Sequence, residues 1–178
     1  MKVKTNPKLD RLVKTALIAA IYALLSFPFS QFNFGATQVR IAEALTILPA
    51  LGPGMVGGLA LGCVITNLYG FTIGAVWVWD MLIGSAATFA AGFLTYRCRN
   101  ILLKGLPVLG CLPPILVNAV IIGAELTLMD TGMHWTWSVL LKNMLLVGTG
   151  QAISCIVLGL PLYVLMKATI FKDESGES

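Results

Sequence analysis

Ten of the twelve lysines and arginines fall in three short stretches, 2–14, 97–104 and 167–172. Between Lys14 and Arg97 the only charged residues are Arg40, Glu43 and Asp80, and between Lys104 and Lys167 they are Glu125, Asp130 and Lys142. Runs this long and apolar belong in hydrocarbon. There every backbone N–H and C=O must be satisfied within the protein, and the runs read as helices. Composition agrees: 57% of residues are hydrophobic and 11% charged, with mean hydropathy +0.87, against about 25% charged in soluble domains. The chain is therefore expected to be an all-α membrane protein, one integral domain over residues 1–178, with a polar lead-in (1–9) and a frayed tail (172–178). The lead-in runs into the body without a small-residue cleavage site, so it is not read as a signal peptide.

Six segments emerge in order. Helix 1 spans about Asp10–Phe27, stopped by Pro28, and carries the small-x-x-x-small pairs Ala16/Ala20 and Ala19/Ala23, which let another helix approach closely. An aromatic loop, Phe27–Gln38, leads to helix 2, Arg40–Leu51, short for a crossing of about 20 residues. On an α-helix Arg40, Glu43 and Ile47 would share one stripe, with Thr46 beside it. After the turn Leu51-Gly-Pro-Gly, helix 3 (about Gly54–Tyr69) shows tandem G-x-x-x-G spacing at Gly54, Gly58 and Gly62. Helix 4 (about Trp77–Tyr96) aligns Asp80, Gly84 and Thr88. Helix 5 follows Pro113-Pro114 and puts Asn118 and Glu125 on one face. Helix 6, about Ser138–Lys167, overshoots a bilayer and is expected to project or to bend at Gly159–Pro161.

Six crossings return the chain to its starting side, and that side holds the ten clustered basic residues. The positive-inside rule makes it cytoplasmic, with both termini inside. Arg40 and Lys142 are the two exceptions. Ten of the sixteen aromatics map to the opposite, outer side, more than an interfacial belt on both faces explains. Polar residues of helices 2 to 6 are expected to converge beneath them: Arg40, Glu43, Asn67, Asp80, Asn118, Glu125, Lys142 and Asn143, with Trp79 and Trp135 in the aromatic lid. Such charge is costly in a membrane segment. It points either to buried structural pairs or to a ligand pocket, and the convergence favours the pocket.

Several classes are excluded by what is missing. The cysteines Cys63, Cys98, Cys111 and Cys155 form no C-x-x-C pair and His134 is the lone histidine, so no metal site is expected. They read as small apolar fillers, with Cys98, between Arg97 and Arg99, a free thiol on a reducing face. There is no G-x-x-x-x-G-K-[ST], G-x-S-x-G or H-E-x-x-H, hence no ATPase of its own and no hydrolase, and no cofactor is implied. The six helices show no inverted repeat of the carrier type, and the basic residues do not form a nucleic-acid-binding module.

Four stretches carry a resemblance that covers nearly the whole chain: Q-V-R-I-A-E-A-L-T-I-L-P (38–49), D-M-L-I-G-S-A-A-T-F-A-A-G-F-L-T-Y (80–96), P-P-I-L-V-N-A-V-I-I-G-A-E-L (113–126) and G-L-P-L-Y (159–163). The chain resembles the QueT family, queuosine-precursor-binding S components of energy-coupling factor (ECF) transporters. The resemblance implies a compact six-transmembrane-helix bundle of the ECF S-component type in a prokaryotic plasma membrane. It implies a substrate of the 7-deazaguanine class, such as preQ1 or queuine, and no catalysis. It also implies partners: a coupling membrane subunit, docked through helix-1 alanines (Ala16, Ala20, Ala19, Ala23), and two ATPases. Some relatives carry an acidic residue at the position of Gln151, so Gln151 departs from a charged ligand contact there. A 7-deazaguanine suits the residue set: its ring stacks on aromatics, its N1–H and amine suit a carboxylate, its O6 suits Lys, Arg or an amide, and an aminomethyl cation wants a second acid. Two alternatives stay open. An S component for another vitamin would use Arg40 and Lys142 on an anion, and a non-transporting assembly subunit would pair its charges internally.

Overall fold

The computed structural model describes residues 6–29, 40–132 and 134–169. Among them there is no strand. The elements are α1 (Pro7–Ser26), the 3-10 helix α2 (Ile41–Leu51), α3 (Gly54–Thr72), α4 (Val78–Arg97), α5 (Leu112–Asp130), α6 (Trp137–Ala152) and α7 (Leu160–Thr169). A 3-10 turn, Val108–Cys111, leads into α5, and a π-helical stretch, Ile153–Gly159, joins α6 to α7 into one continuous rod. Counting that rod once, the described residues form six helical segments, as the sequence predicts.

The ends follow from local chemistry. α1 starts earlier than expected because Asn6 caps it: its Oδ1 accepts from the Lys8 N–H at 3.0 Å, and Pro7 sits in the first turn, where no N–H is needed. Pro113 and Pro114 likewise lie in the first turn of α5, where orphan N–H groups are the rule. The basic loop turns at Lys104 (φ 51°) and Gly105 (φ 81°), closed by Leu103 and Leu106 exchanging both backbone hydrogen bonds at 2.8 and 3.0 Å. Two successive positive φ angles define the tight primed turn that glycine makes easy.

Three described helices are long and apolar enough to cross a membrane: Gly54–Thr72, Val108–Asp130 and Trp137–Thr169. Between a third and a half of each window is buried inside the protein (50%, 39% and 33%). The remainder is an apolar outer face bearing Leu61, Leu68, Leu116, Val120, Leu145 and Val157, all exposed, a surface suited to lipid and too apolar for a monomer in water.

The centre of the bundle is α2. Every side chain from Ala42 to Pro49 is buried, because α1, α3, α4 and the α6–α7 rod all pack on it. An 11-residue 3-10 helix is uncommon, but it has a geometric use. At about 2.0 Å per residue it reaches about 22 Å, against about 16 Å for an α-helix of that length. The tighter winding also moves the expected stripe. With three residues per turn Arg40, Glu43 and Thr46 eclipse, and Ile47 turns away into the apolar core, fully buried.

The glycine face of α3 packs on α1. A Cβ at Gly58 would lie 2.7 Å from the Thr15 carbonyl oxygen, and one at Gly62 would lie 2.6 Å from Tyr22 Cβ. This contact divides the helix-1 alanines. Ala16 and Ala20 are exposed, whereas Ala19 and Ala23 are buried, Ala19 to 2% exposure. The Ala19 carbonyl faces Gly62, so the second pair serves the chain's own core and only the first retains a surface for a partner. Where a bend is expected, at Gly159–Pro161, a π-helical stretch, Ile153–Gly159, ends two residues before Pro161. Pro161 lacks an N–H and crowds the carbonyl four residues back, and a π turn accommodates both. Gly159 then lets the rod close on α2, since a Cβ there would meet the Ala44 carbonyl oxygen at 2.9 Å.

Candidate functional site

The expected polar residues separate into several places. The first is a buried hub on α2. Glu43 is 1% exposed. Its Oε1 accepts from the Tyr22 hydroxyl of α1 at 2.5 Å and its Oε2 from Gln151 Nε2 of α6 at 3.1 Å. Thr46 donates to the Glu43 carbonyl at 2.6 Å and meets Cys155 Sγ at 3.2 Å. One carboxylate thus ties three helices together, and an acceptor-only group facing two donors is the arrangement that a buried charge requires.

Beside the hub, Arg40, Asn118, Ile122, Val147 and Gln151 line a narrow cavity of about 10 Å³, room for about one water. It has no space for a ring in this conformation.

The second cavity is larger, about 180 Å³, lined by Trp77, Trp79, Ile83, Glu125, Leu128 and Met129. An apolar cavity of about 150 Å³ is enough to hold benzene. This one lies where α4 begins and α5 ends, at the end of the bundle opposite the Arg97–Lys104 loop. Trp77 and Trp79 are about half exposed (52% and 57%), so its mouth opens to the molecular surface. Among the described residues Glu125 is its one charged lining residue, and it is only 9% exposed.

A single stripe of α5 serves both cavities. Asn118 and Ile122 line the narrow one, Glu125 and Met129 the wide one, at spacings of four, three and four that keep one helix face. Asn118 and Glu125 share that face as expected. They are nevertheless separated by roughly 10 Å of helical rise and line different cavities.

Other expected residues lie elsewhere. Asn143 is buried and donates to Asp130 Oδ2 at 3.0 Å and Thr127 Oγ1 at 3.3 Å, a tie between α5 and α6 that does not line either cavity. Asn67, fully buried, directs Nδ2 to Cys63 Sγ at 3.5 Å and touches α4 at Gly84. Lys142 is exposed and outside both cavities. Trp135 is exposed and packs edge-on against Trp137 at 5.5 Å, also away from the cavities. The Asp80 backbone is in the first turn of α4, while its side chain lies outside the described residues, as do Phe32 and Phe34 of the first aromatic loop. No cluster of three or more potential metal ligands occurs among the described residues.

Three participants, Tyr22, Gln151 and Trp77, are not among the residues that the sequence assigns to the site. Tyr22 is the lone hydroxyl-bearing aromatic in the alanine-rich helix 1, and Gln151 is the lone amide in the middle of the last rod; each is a polar exception in an apolar run. Trp77 was one ring among ten in the outer loops, and only its place at the α4 N-terminus brings it to the cavity.

No curated protein and no solved structure matches the chain. A family described as QueT transporter matches residues 12–168 of the 178, which include every helix from α2 to α6 and all but five residues of α1 and one of α7. The chain belongs to the QueT transporter family.

Proposed function

We propose that this protein is the substrate-binding S component of an ECF-type transporter and that it captures a queuosine precursor, a 7-deazaguanine, at its outer face. The observation that carries the reading is the wide cavity: two tryptophans and one buried glutamate around about 180 Å³, at the end of the bundle away from the basic loop, in a chain of the QueT transporter family. A flat heterocycle gains about 1–3 kcal/mol per stacked aromatic contact. A carboxylate in a water-poor wall makes charge-assisted bonds, about twice as strong as neutral ones, to N–H groups. Both features favour a polar heterocycle over an anion. The exposed position of Lys142 removes one of the two basic clamps that an anionic vitamin would use.

Uptake then follows the S-component scheme. The ligand enters from the outer side, the termini and the 97–105 loop face the cytoplasm, and the exposed Ala16–Ala20 face of α1 meets a coupling membrane subunit driven by two ATPases. The protein itself performs no chemistry. The test is calorimetry on purified protein with preQ1, queuine, guanine and biotin. Saturable binding of a deazaguanine, with guanine weaker and biotin silent, supports the reading. Binding of biotin alone, or of nothing in the panel, overturns the substrate class.

A further inference from the structure

The wide cavity has a chemical bias beyond the acceptance of a flat ring. Of its six described lining residues, five are apolar or aromatic and the sixth is the buried Glu125. Among the described residues no lysine or arginine lines it. A carboxylate only accepts hydrogen bonds, and the faces of tryptophan carry negative potential that attracts cations. Among the described residues the one formal charge on the wall is therefore negative. In a partly desolvated site these attractions are much stronger than in water. The basic and amide groups that could read a carbonyl, Arg40, Asn118 and Gln151, line the other cavity.

Resting on the deazaguanine reading above, we infer that the Trp77–Trp79–Glu125 cavity is a subsite for an organic ammonium, so that the protein selects ligands bearing a protonated amine over neutral ligands with the same ring. The alternative role for Glu125 is acceptance of the neutral N–H pair on the ring edge. The two roles predict different ligand dependence: an ammonium site distinguishes side arms, and an edge reader does not.

The experiment measures binding of two ligands sharing one ring, 7-aminomethyl-7-deazaguanine (cationic arm) and 7-cyano-7-deazaguanine (neutral arm), to the parent, Glu125→Gln and Trp79→Leu proteins. Glu125→Gln nearly preserves volume, and the half-exposed Trp79 is tolerant of change, so the two variants do not share one route to misfolding. The parent is expected to bind the amine at least about tenfold more tightly than the nitrile. In Glu125→Gln the amine should weaken by about thirtyfold or more, and the nitrile by less than about threefold. Trp79→Leu should reduce the same preference by several-fold, with Trp79→Phe restoring part of it. Equal weakening of both ligands in Glu125→Gln would make Glu125 an edge reader and overturn the ammonium site, as would unchanged binding of the amine. If the parent ignores both deazaguanines, the substrate reading fails, and the subsite is then tested alone with benzylammonium against benzyl alcohol. Thermal stabilisation by the amine alone upholds the subsite; stabilisation by neither or by both refutes it.

Discussion

Breaking the Tyr22–Glu43 contact tests what holds α1 to the centre of the bundle. Tyr22→Phe deletes one oxygen and leaves the ring in place against Gly62, so no cavity term enters. The lost bond runs to a buried carboxylate, and such bonds contribute about 1.5–3 kcal/mol each. Glu43→Leu removes two of them, to Tyr22 and to Gln151, and strands both donors, for a loss of about 3–6 kcal/mol. In the double variant the hydroxyl has no carboxylate to lose, so the two effects should not add. The coupling energy is expected at about 1–3 kcal/mol, the upper part of the range for residues in one network. Equilibrium unfolding of the four proteins in mixed micelles, followed by circular dichroism, yields the cycle. Additivity within about 0.3 kcal/mol, or a Tyr22→Phe protein as stable as the parent, would refute the hub.

Further outcomes concern packing and topology. Gly58→Ala and Gly62→Ala should each destabilise by about 1–3 kcal/mol, since the new Cβ atoms fall 2.7 and 2.6 Å from α1. Gly57→Ala, whose Cβ meets only Thr15 Cγ2 at 3.8 Å, should be neutral or slightly stabilising in the same unfolding assay. Ala16→Leu should leave stability and ligand binding unchanged while blocking uptake in a reconstituted transporter, whereas Ala23→Leu should overpack the core and lower the melting temperature. Impermeant thiol reagents should label Cys98 only from the cytoplasmic side and a cysteine introduced at Thr131 only from outside; the reverse pattern would invert the orientation.

Sequence periodicity located the helices well where their ends are written in local chemistry, at Pro28, Gly-Pro-Gly and Pro113-Pro114, whereas the cap at Asn6-Pro7 started α1 ahead of the expected Asp10. It was less able to locate the site. The 3-10 winding of α2 over eleven residues has no signal in the segment itself, and it exchanged Ile47 for Thr46 on the polar stripe. Asn118 and Glu125 were placed on one face correctly, but whether two residues on a face share a cavity depends on what the neighbouring helices contribute. Here Arg40 and Gln151 meet one of them, and Trp77 and Trp79 the other. Asn143 and Lys142 illustrate the same limit: adjacent polar residues near the start of α6, one bound to Asp130 and Thr127, the other facing outward.

The central claim is that the ligand stacks in the cavity of Trp77 and Trp79, and tryptophan emission reports on it directly. The four tryptophans are Trp77, Trp79, Trp135 and Trp137, and the latter pair lies outside the cavity. In a Trp135→Phe/Trp137→Phe background, titration with 7-aminomethyl-7-deazaguanine should give saturable quenching whose midpoint matches the calorimetric Kd. In the converse Trp77→Phe/Trp79→Phe background the signal should be nearly silent. Quenching confined to Trp135 and Trp137, or calorimetric binding that leaves Trp77 and Trp79 unaffected, would contradict the account.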